Sequence, residues 1–365
     1  MNVLHVIVGR GPTGPAAAAM SDVKALRAAG HTAYLASRHG TGLMDACNAE
    51  DIPYISGLKL GRGAMRILHF PHDIRRLRAI VRELSIDVIH VHRSDDQLLA
   101  AAAIGKTLTT TLVRTWHRHP RAVARPLLTR LAAQADGCVC VSREHADTLN
   151  VSGAKKVEFI HVGVDTEIFR PPDEKIDDAV RIGHVGRWKQ EKDGRDRGQR
   201  AALDVFAALK SEWPWKGLLI GRGEMAAALQ KAAYDERKLS RERVELVHFE
   251  KHSAAEFAAM LGSLHLGLVF SVGSDGTSRA AAELLACGVP LVVADVPGLR
   301  ELAEDSASAL RQLPDDASGW AHAIEKLLAD PQRLAAMRGA ARKRAESVHA
   351  LAARGRALAD FYSAL

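Results

Sequence analysis

Four cysteines in 365 residues, Cys47, Cys138, Cys140 and Cys287, are too few and too scattered for a disulfide framework, and none is grouped with histidines at zinc spacing. A reduced setting is the expectation. Cys138 and Cys140 alternate with Val139 and Val141, which makes them small core residues on one face of a strand. No stretch approaches the ~20 apolar residues of a membrane span. The opening run Val3–Val8 has no basic leader followed by an apolar region and a cleavage site, so the expected location is cytoplasmic, at most at the inner face of the cell membrane.

Acids are in short supply in the first half alone. Residues 1–171 carry 22 Lys and Arg against 15 Asp and Glu, whereas the remainder is balanced at 28 against 28. Much of the excess lies in Lys59, Arg62, Arg66, Arg75, Arg76, Arg78 and Arg82, opposed by Asp73. Such a stretch suits an anionic membrane surface or an anionic acceptor, or is the solvated face of a surface helix. It holds one aromatic, Phe70, and no nucleic-acid motif, so nucleic acid is not an expected partner.

What is there is a globular composition, 47% hydrophobic and 25% charged, with length for two domains. Strand candidates Val3–Val8, Thr32–Ala36, Val88–Val91, Thr110–Arg114, Cys138–Val141 and Val157–Ile160 alternate with helical patterns near Ala16–Ala29, Pro71–Leu84, Gln97–Lys106, Ala124–Ala135 and Arg143–Leu149. This rhythm predicts a parallel sheet wrapped by helices on both faces. A polar, proline-containing passage, Thr166–Lys175, interrupts it. The rhythm then resumes with Val180–Val185, Gly217–Ile220, Val244–Val247, Leu266–Phe270, Leu291–Ala294 and Ala307–Leu310.

The fold class expected is α/β, with two Rossmann-like, doubly wound domains facing a cleft at the C-terminal edges of their strands. The expected bounds are 1–165 for the first domain, 166–179 for a linker, 180–345 for the second, and 346–365 for a helix packing back on the first.

Phe270–Pro290 reads as a buried strand, a Gly-rich loop and a helix starting near Ser278 and closing at Gly288. The helix start offers unpaired N–H groups and the positive end of a dipole, which suits a phosphate. Asp275 in the loop and Glu283 in the helix either flank one bound molecule or serve as a cap and a solvated helix residue. Arg187, immediately after a strand, and Lys192, five residues on, either hold a diphosphate or confer solubility. Ile220–Glu224 is another Gly-rich strand-to-helix turn.

In the first half, Gly9, Gly11 and Gly14 follow the opening strand. With two prolines among them and Ser37-Arg38-His39 where a ribose-binding acid would stand, they do not make a dinucleotide site. A close approach of substrate to backbone remains open to them. His90, His92, Asp95 and Asp96 surround a strand end, and hydrogen bonding within the loop accounts for them without metal. His117 lies just past its strand, either structural or in contact with a substrate hydroxyl.

Taken in order, the opening Gly-rich loop, D-V-I-H-V-H, R-T-W-H, A-D-G-C-V-C-V-S-R-E-H-A, I-H-V-G-V-D-T-E-I-F-R-P, V-G-R-W-K-Q-E-K, I-G-R-G-E, D-G-T-S-R-A-A-A-E-L-L-A-C-G-V-P and L-L-A-D-P resemble the family 4 glycosyltransferases, retaining enzymes of the GT-B fold. The resemblance implies that Arg187 and Lys192 bind the donor diphosphate and Glu283 the ribose hydroxyls. It places Asp275 at the donor sugar, Gly276, Thr277, Ser278 and Arg279 along diphosphate and sugar, His117 near the transferring sugar, and Gly11 and Gly14 beneath it. Asp275, His117, Arg187 and Lys192 are then the catalytic candidates.

The implied partners are a nucleotide-diphosphate sugar and a glycan or glycolipid acceptor, with no metal or other cofactor. The implied pathway is bacterial lipopolysaccharide, surface polysaccharide or glycolipid synthesis. Two positions depart from the family pattern: Asp275 is a methylene shorter than the usual Glu, and Val162 stands where Asn is common. A sugar-nucleotide epimerase or hydrolase of the same fold, and a non-catalytic nucleotide-sugar binder, are the alternatives.

Overall fold

Runs such as Val88-Ile89 and Leu291-Val292-Val293 are apolar at consecutive positions, the pattern of strands covered on both faces, and each forms an inner strand of a parallel sheet in the computed structural model. The structure describes residues 1–365 other than 10, 13, 61–63, 106–107, 173–178, 191–193, 195, 211–213, 250–252 and 272–277, and residues 64–67 as backbone. The chain forms two units, one of Met1–Gly163 and Leu351–Leu365, the other of Val164–Gly273 and Ser278–Ala350.

The first unit runs β1 (Asn2–Val6), α1 (Pro15–Ala28), β2 (Thr32–Arg38), α2 (Gly42–Ala49), β3 (Tyr54–Leu58), α3 (Ala64–Glu83), β4 (Val88–Val91), α4 (Ser94–Ile104), β5 (Thr111–Trp116), α5 (Arg125–Gln134), β6 (Gly137–Cys140), α6 (Arg143–Asn150) and β7 (Val157–Phe159). Its strands form a parallel sheet in the order β3-β2-β1-β4-β5-β6-β7. The second unit runs β8 (Val180–Val185), α7 (Gln199–Ala208), β9 (Trp215–Gly221), α8 (Ala226–Gln230), β10 (Val244–His248), α9 (Ala254–Gly262), β11 (Leu266–Val269), α10 (Arg279–Ala286), β12 (Leu291–Ala294), β13 (Ala309–Gln312), α11 (Ala317–Leu328) and α12 (Pro331–Arg344). Its order is β10-β9-β8-β11-β12-β13. The last helix, α13 (Leu351–Ser363), belongs to the first unit.

Each sheet is doubly wound. Along β1, Val3 turns to a core shared with Ala19, Val23 and Leu26 of α1 and Leu358 and Phe361 of α13. Leu4 and Val6 turn the other way, onto Leu77 and Ile80 of α3 and Leu99 and Ala103 of α4. In both sheets the order reverses beside the first strand, between β1 and β4 and between β8 and β11. Loops at the C-terminal ends of such a strand pair are where open parallel sheets take ligands.

Three local expectations change. The segments α2 and β3 form where none was foreseen, and α3 begins at Ala64 rather than Pro71, with Pro71 inside it. The basic stretch is also partly used internally. Buried Asp73 accepts the N–H groups of Lys59 and Leu60 at 2.8 and 2.9 Å, and Arg78 donates to the carbonyls of Ala102 and Ala103. Arg75 and Arg82 are exposed. No helix among the described residues is long and apolar enough to cross a membrane.

Candidate functional site

In the second unit, β8 ends and the chain turns through Gly186 to Arg187. The Arg187 carbonyl accepts from Gln199 Nε2 at 2.9 Å, and Gln199, wholly buried, accepts the Arg197 N–H at 2.8 Å. The next residue, Trp188, is buried and pinned at both ends of its backbone, its N–H to Arg222 O and its O to the Met225 N–H. This accounts for the glycines of Ile220–Glu224. A side chain at Gly221 would strike the Gly186 carbonyl and the Trp188 ring, and Gly223 (φ +146°) lies against the Trp188 backbone. With Trp188 turned inward, Arg187 is exposed and makes no ion pair among the described residues. A guanidinium on a backbone held this way suits an anion.

β11 runs parallel to β8 and next to it, so α10, which follows β11, starts at the same edge of the sheet. Ser278 caps α10 and is buried, without a side-chain bond to the helix amides. Ala281, Ala282, Leu284 and Leu285 face the core, whereas Arg279 and Glu283, four apart, share the half-exposed face. Arg279 Nη2 is buried with no hydrogen-bond partner among the described residues. The structure therefore brings Arg187, Ser278, Arg279 and Glu283 to one sheet edge; Lys192, Asp275, Gly276 and Thr277 lie outside the described residues.

In the first unit the glycines after β1 differ in what the protein asks of them. A side chain at Gly9 would press on Leu43 and Ala16, and Gly14 adopts φ +56°, ψ −129° as the cap of α1. Gly11 has open space around it. The loop is held from β4 and α4: Val8 N–H donates to Asp96 Oδ1 at 3.1 Å, and Arg93 Nη1 to the Val8 carbonyl at 2.9 Å. Asp96 is fully buried, and burial raises its carboxyl to about 7.

His117, buried past the end of β5, is bonded through Nε2 to His92 Nδ1 at 3.0 Å, and His92 Nε2 to His5 Nδ1 at 2.9 Å. His5 was not singled out from sequence. Its signal is register, since His5 stands opposite His90 where β1 pairs with β4. Burial depresses these rings: His5 to about 4, His90 and His92 well below the usual imidazole range. Gln199 was missed too, and nothing in its sequence context marks it.

His5, His90 and Asp22 bring ligand atoms within 4.8 Å of one another, a cluster with metal-ligand chemistry. Asp22 and His90 are already engaged. Arg354 takes both Asp22 oxygens at 2.5 and 3.0 Å, and His90 bonds Tyr362 Oη at 2.6 Å and Thr115 Oγ1 at 2.7 Å. A cation there would face a guanidinium, so these residues do not fit a metal.

Two family models match the chain, "Glycosyltransferase Family 4" over residues 16–168 and "Glycosyl transferases group 1" over residues 179–330. The chain is 27% identical over 213 residues to a D-inositol 3-phosphate glycosyltransferase of Mycobacterium marinum, the match covering 53% of this chain and 41% of that protein. The chain thus spans about two fifths of the length of the curated relatives it matches. Among solved structures, Anabaena Alr3699/HepE in complex with UDP and glucose superposes with a TM-score of 0.78 at 18% identity, over 100% of both chains. The lipopolysaccharide outer core galactosyltransferase WaaB, in its apo form, does so with 0.75 at 16%, over 100% of both chains. With a glycosyltransferase model on each unit and this fold throughout, the chain belongs to the family 4 glycosyltransferases and has the GT-B fold.

Proposed function

We propose that the protein is a retaining, metal-independent glycosyltransferase that moves a sugar from a nucleotide diphosphate to an acceptor hydroxyl. Arg187, Lys192 and the N-terminus of α10, with Gly276, Thr277, Ser278 and Arg279, hold the diphosphate. Their positive charge stabilises the negative charge that grows on it as the glycosidic bond breaks. Glu283 accepts the two ribose hydroxyls, Asp275 and His117 meet the sugar, and Gly11 and Gly14 let it approach the backbone.

The observation that carries this reading is the arrangement at the edge of the second sheet. A guanidinium that makes no ion pair among the described residues, after β8, and a helix N-terminus, after β11, stand at the strand pair where the order reverses, and a carboxylate lies on the half-exposed side of that helix. Gly11 adds to it, since no packing contact calls for a glycine there. A UDP-sugar is the first donor to try, because the structurally similar HepE was crystallised with UDP and glucose. The acceptor side is proposed to be a glycan or glycolipid of a lipopolysaccharide or other surface polysaccharide, with the enzyme in the cytoplasm, at the inner membrane face. The similarity to WaaB agrees with that choice.

Donor turnover followed by phosphorus NMR tests the reading. Nucleoside diphosphate released only when a glycolipid extract is added, with the sugar recovered on the lipid in its original anomeric configuration, is the expected result. Free sugar without acceptor would make the protein a hydrolase, and an altered sugar still on its nucleotide an epimerase. Glu283→Ala is expected to abolish turnover in a folded protein.

A further inference from the structure

Val8 leads from β1 into the loop that carries Gly11 and Gly14, and the first turn of α4 holds it at both of its backbone groups. Arg93, the N-cap of α4, donates from Nη1 to the Val8 carbonyl at 2.9 Å. Asp96, three residues on, accepts the Val8 N–H through Oδ1 at 3.1 Å. The residue before, Ile7, is tied instead to the sheet, its N–H donating to the Ala36 carbonyl. The chain is thus handed from β2 to α4 as it leaves β1, and α4 sets the course on which it enters the loop.

An asparagine would accept the Val8 N–H as well as Asp96 does, with no charge to bury. Asp96 is wholly buried, and its Oδ2 has no hydrogen-bond partner among the described residues. A carboxylate there would leave one oxygen bare, whereas an acid with its proton on Oδ2 has no charge to desolvate and still accepts at Oδ1. Of the charged groups around it, Arg93 on α4 and Arg114 on β5 favour the ionised form and Asp95 opposes it, and burial outweighs both guanidiniums. Arg114 is buried and already donates to Gln97 Oε1 at 2.7 Å and Ser94 Oγ at 3.1 Å, whereas Arg93 is half-exposed. A carboxylate is a stronger acceptor for a guanidinium than a peptide carbonyl is, so ionised Asp96 competes with Val8 for Arg93.

We propose that Arg93 and Asp96 are positioning residues for the substrate loop after β1, that Asp96 serves as the neutral acid, and that loss of its proton draws Arg93 off the Val8 carbonyl. This rests on the proposed approach of the substrate to Gly11 and Gly14. The proton goes to solvent, and one hydrogen bond to the loop is exchanged for one within the first turn of α4. Neither side chain touches the substrate in this scheme. The consequence is a loop held at both Val8 groups on the acid side and at one of them on the alkaline side.

The experiment measures kcat/KM for donor turnover by the full chain and by Asp96→Asn across neutral pH, the ratio of the two cancelling whatever titrates on the substrate. The ratio of Asp96→Asn to wild type is expected to be near one on the acid side and to rise roughly three- to tenfold on the alkaline side, as wild type loses one hydrogen bond. Its midpoint is expected near the raised value of Asp96, about 7. A flat ratio, or Asp96→Asn as slow as Asp96→Ala on the acid side, would overturn the proposal. Arg93→Gln, which lacks the same bond at every pH, is expected to start at the alkaline level of wild type and to lose the step; a full step in that variant would also overturn it, so the test survives if Asp96→Asn does not fold. The infrared carbonyl stretch of a protonated carboxyl, present on the acid side, lost on the alkaline side and absent from Asp96→Asn, reads the proton without substrate, and its absence from wild type would overturn the neutral acid. If that band is present and no donor is turned over at any pH, the proposed function fails and the positioning role with it, while the neutral state of Asp96 stands.

Discussion

Arg187 is available for an anion because the residue beside it is not. Trp188 takes the inward position, Gln199 ties the Arg187 carbonyl, and the guanidinium is left exposed on a fixed backbone. Arg187→Ala should therefore lower donor affinity about ten- to hundredfold, the scale of one charge-assisted interaction, while leaving the ligand-free melting temperature unchanged. Calorimetric titration and a melt on the same sample check both halves. Titration of the buried groups in the first unit gives a second prediction. His5, His90 and His92 are held neutral below 6.5, so between pH 6.5 and about 4 the unfolded chain binds protons at these rings that the folded unit does not, and stability falls as pH falls. Asp96, raised to about 7, binds a proton in the folded state over the same window and offsets one of the three. The urea midpoint of the first unit, followed by hydrogen exchange, is expected to drop from pH 7 to pH 5; a flat midpoint would show that these rings are not buried neutral.

At the scale of elements, α1 and α13 pack so closely that the Cβ of an alanine at position 355 would strike the Ala25 carbonyl. Beside that contact Arg354 forms its buried pair with Asp22 and also donates to the carbonyls of Ile160 and His161. Gly355→Ala is expected to force the helices apart and destabilise the first unit by about 1–3 kcal/mol, read as a lower unfolding midpoint with no change in the second unit. Elements with consecutive apolar residues were legible in the sequence; those with a thin apolar face were not. β3 is an edge strand, Tyr-Ile-Ser-Gly-Leu, in which Leu58 alone is buried and Gly57 takes φ +105°. α2 fully buries only Leu43 and Cys47 of its eight residues. Pro71 reads as the first residue of a helix because the missing N–H costs nothing there, yet α3 starts a turn and more before it.

For the molecule as a whole, the repeated strand–helix rhythm was enough to foresee two doubly wound sheets, and the two strand orders share the same reversal beside the first strand. Arg187 and the start of α10, both singled out from the sequence, lie at that reversal in the second unit. The bonded series of His5, His92 and His117 was not legible there, because its bonds join residues 87 and 25 positions apart, and only the pairing of β1 with β4 and β4 with β5 brings them into line. The central claim is that the second unit binds a nucleotide-diphosphate sugar through Arg187. The direct test is the melting temperature of wild type and Arg187→Ala against UDP-, GDP- and ADP-sugars and the free diphosphates. A ligand that binds the folded state alone, at 100 times its dissociation constant, stabilises by about 2.7 kcal/mol. The account predicts that one nucleotide class raises the wild-type midpoint and leaves that of Arg187→Ala where it was; no shift with any nucleotide, or an equal shift in both proteins, would contradict it.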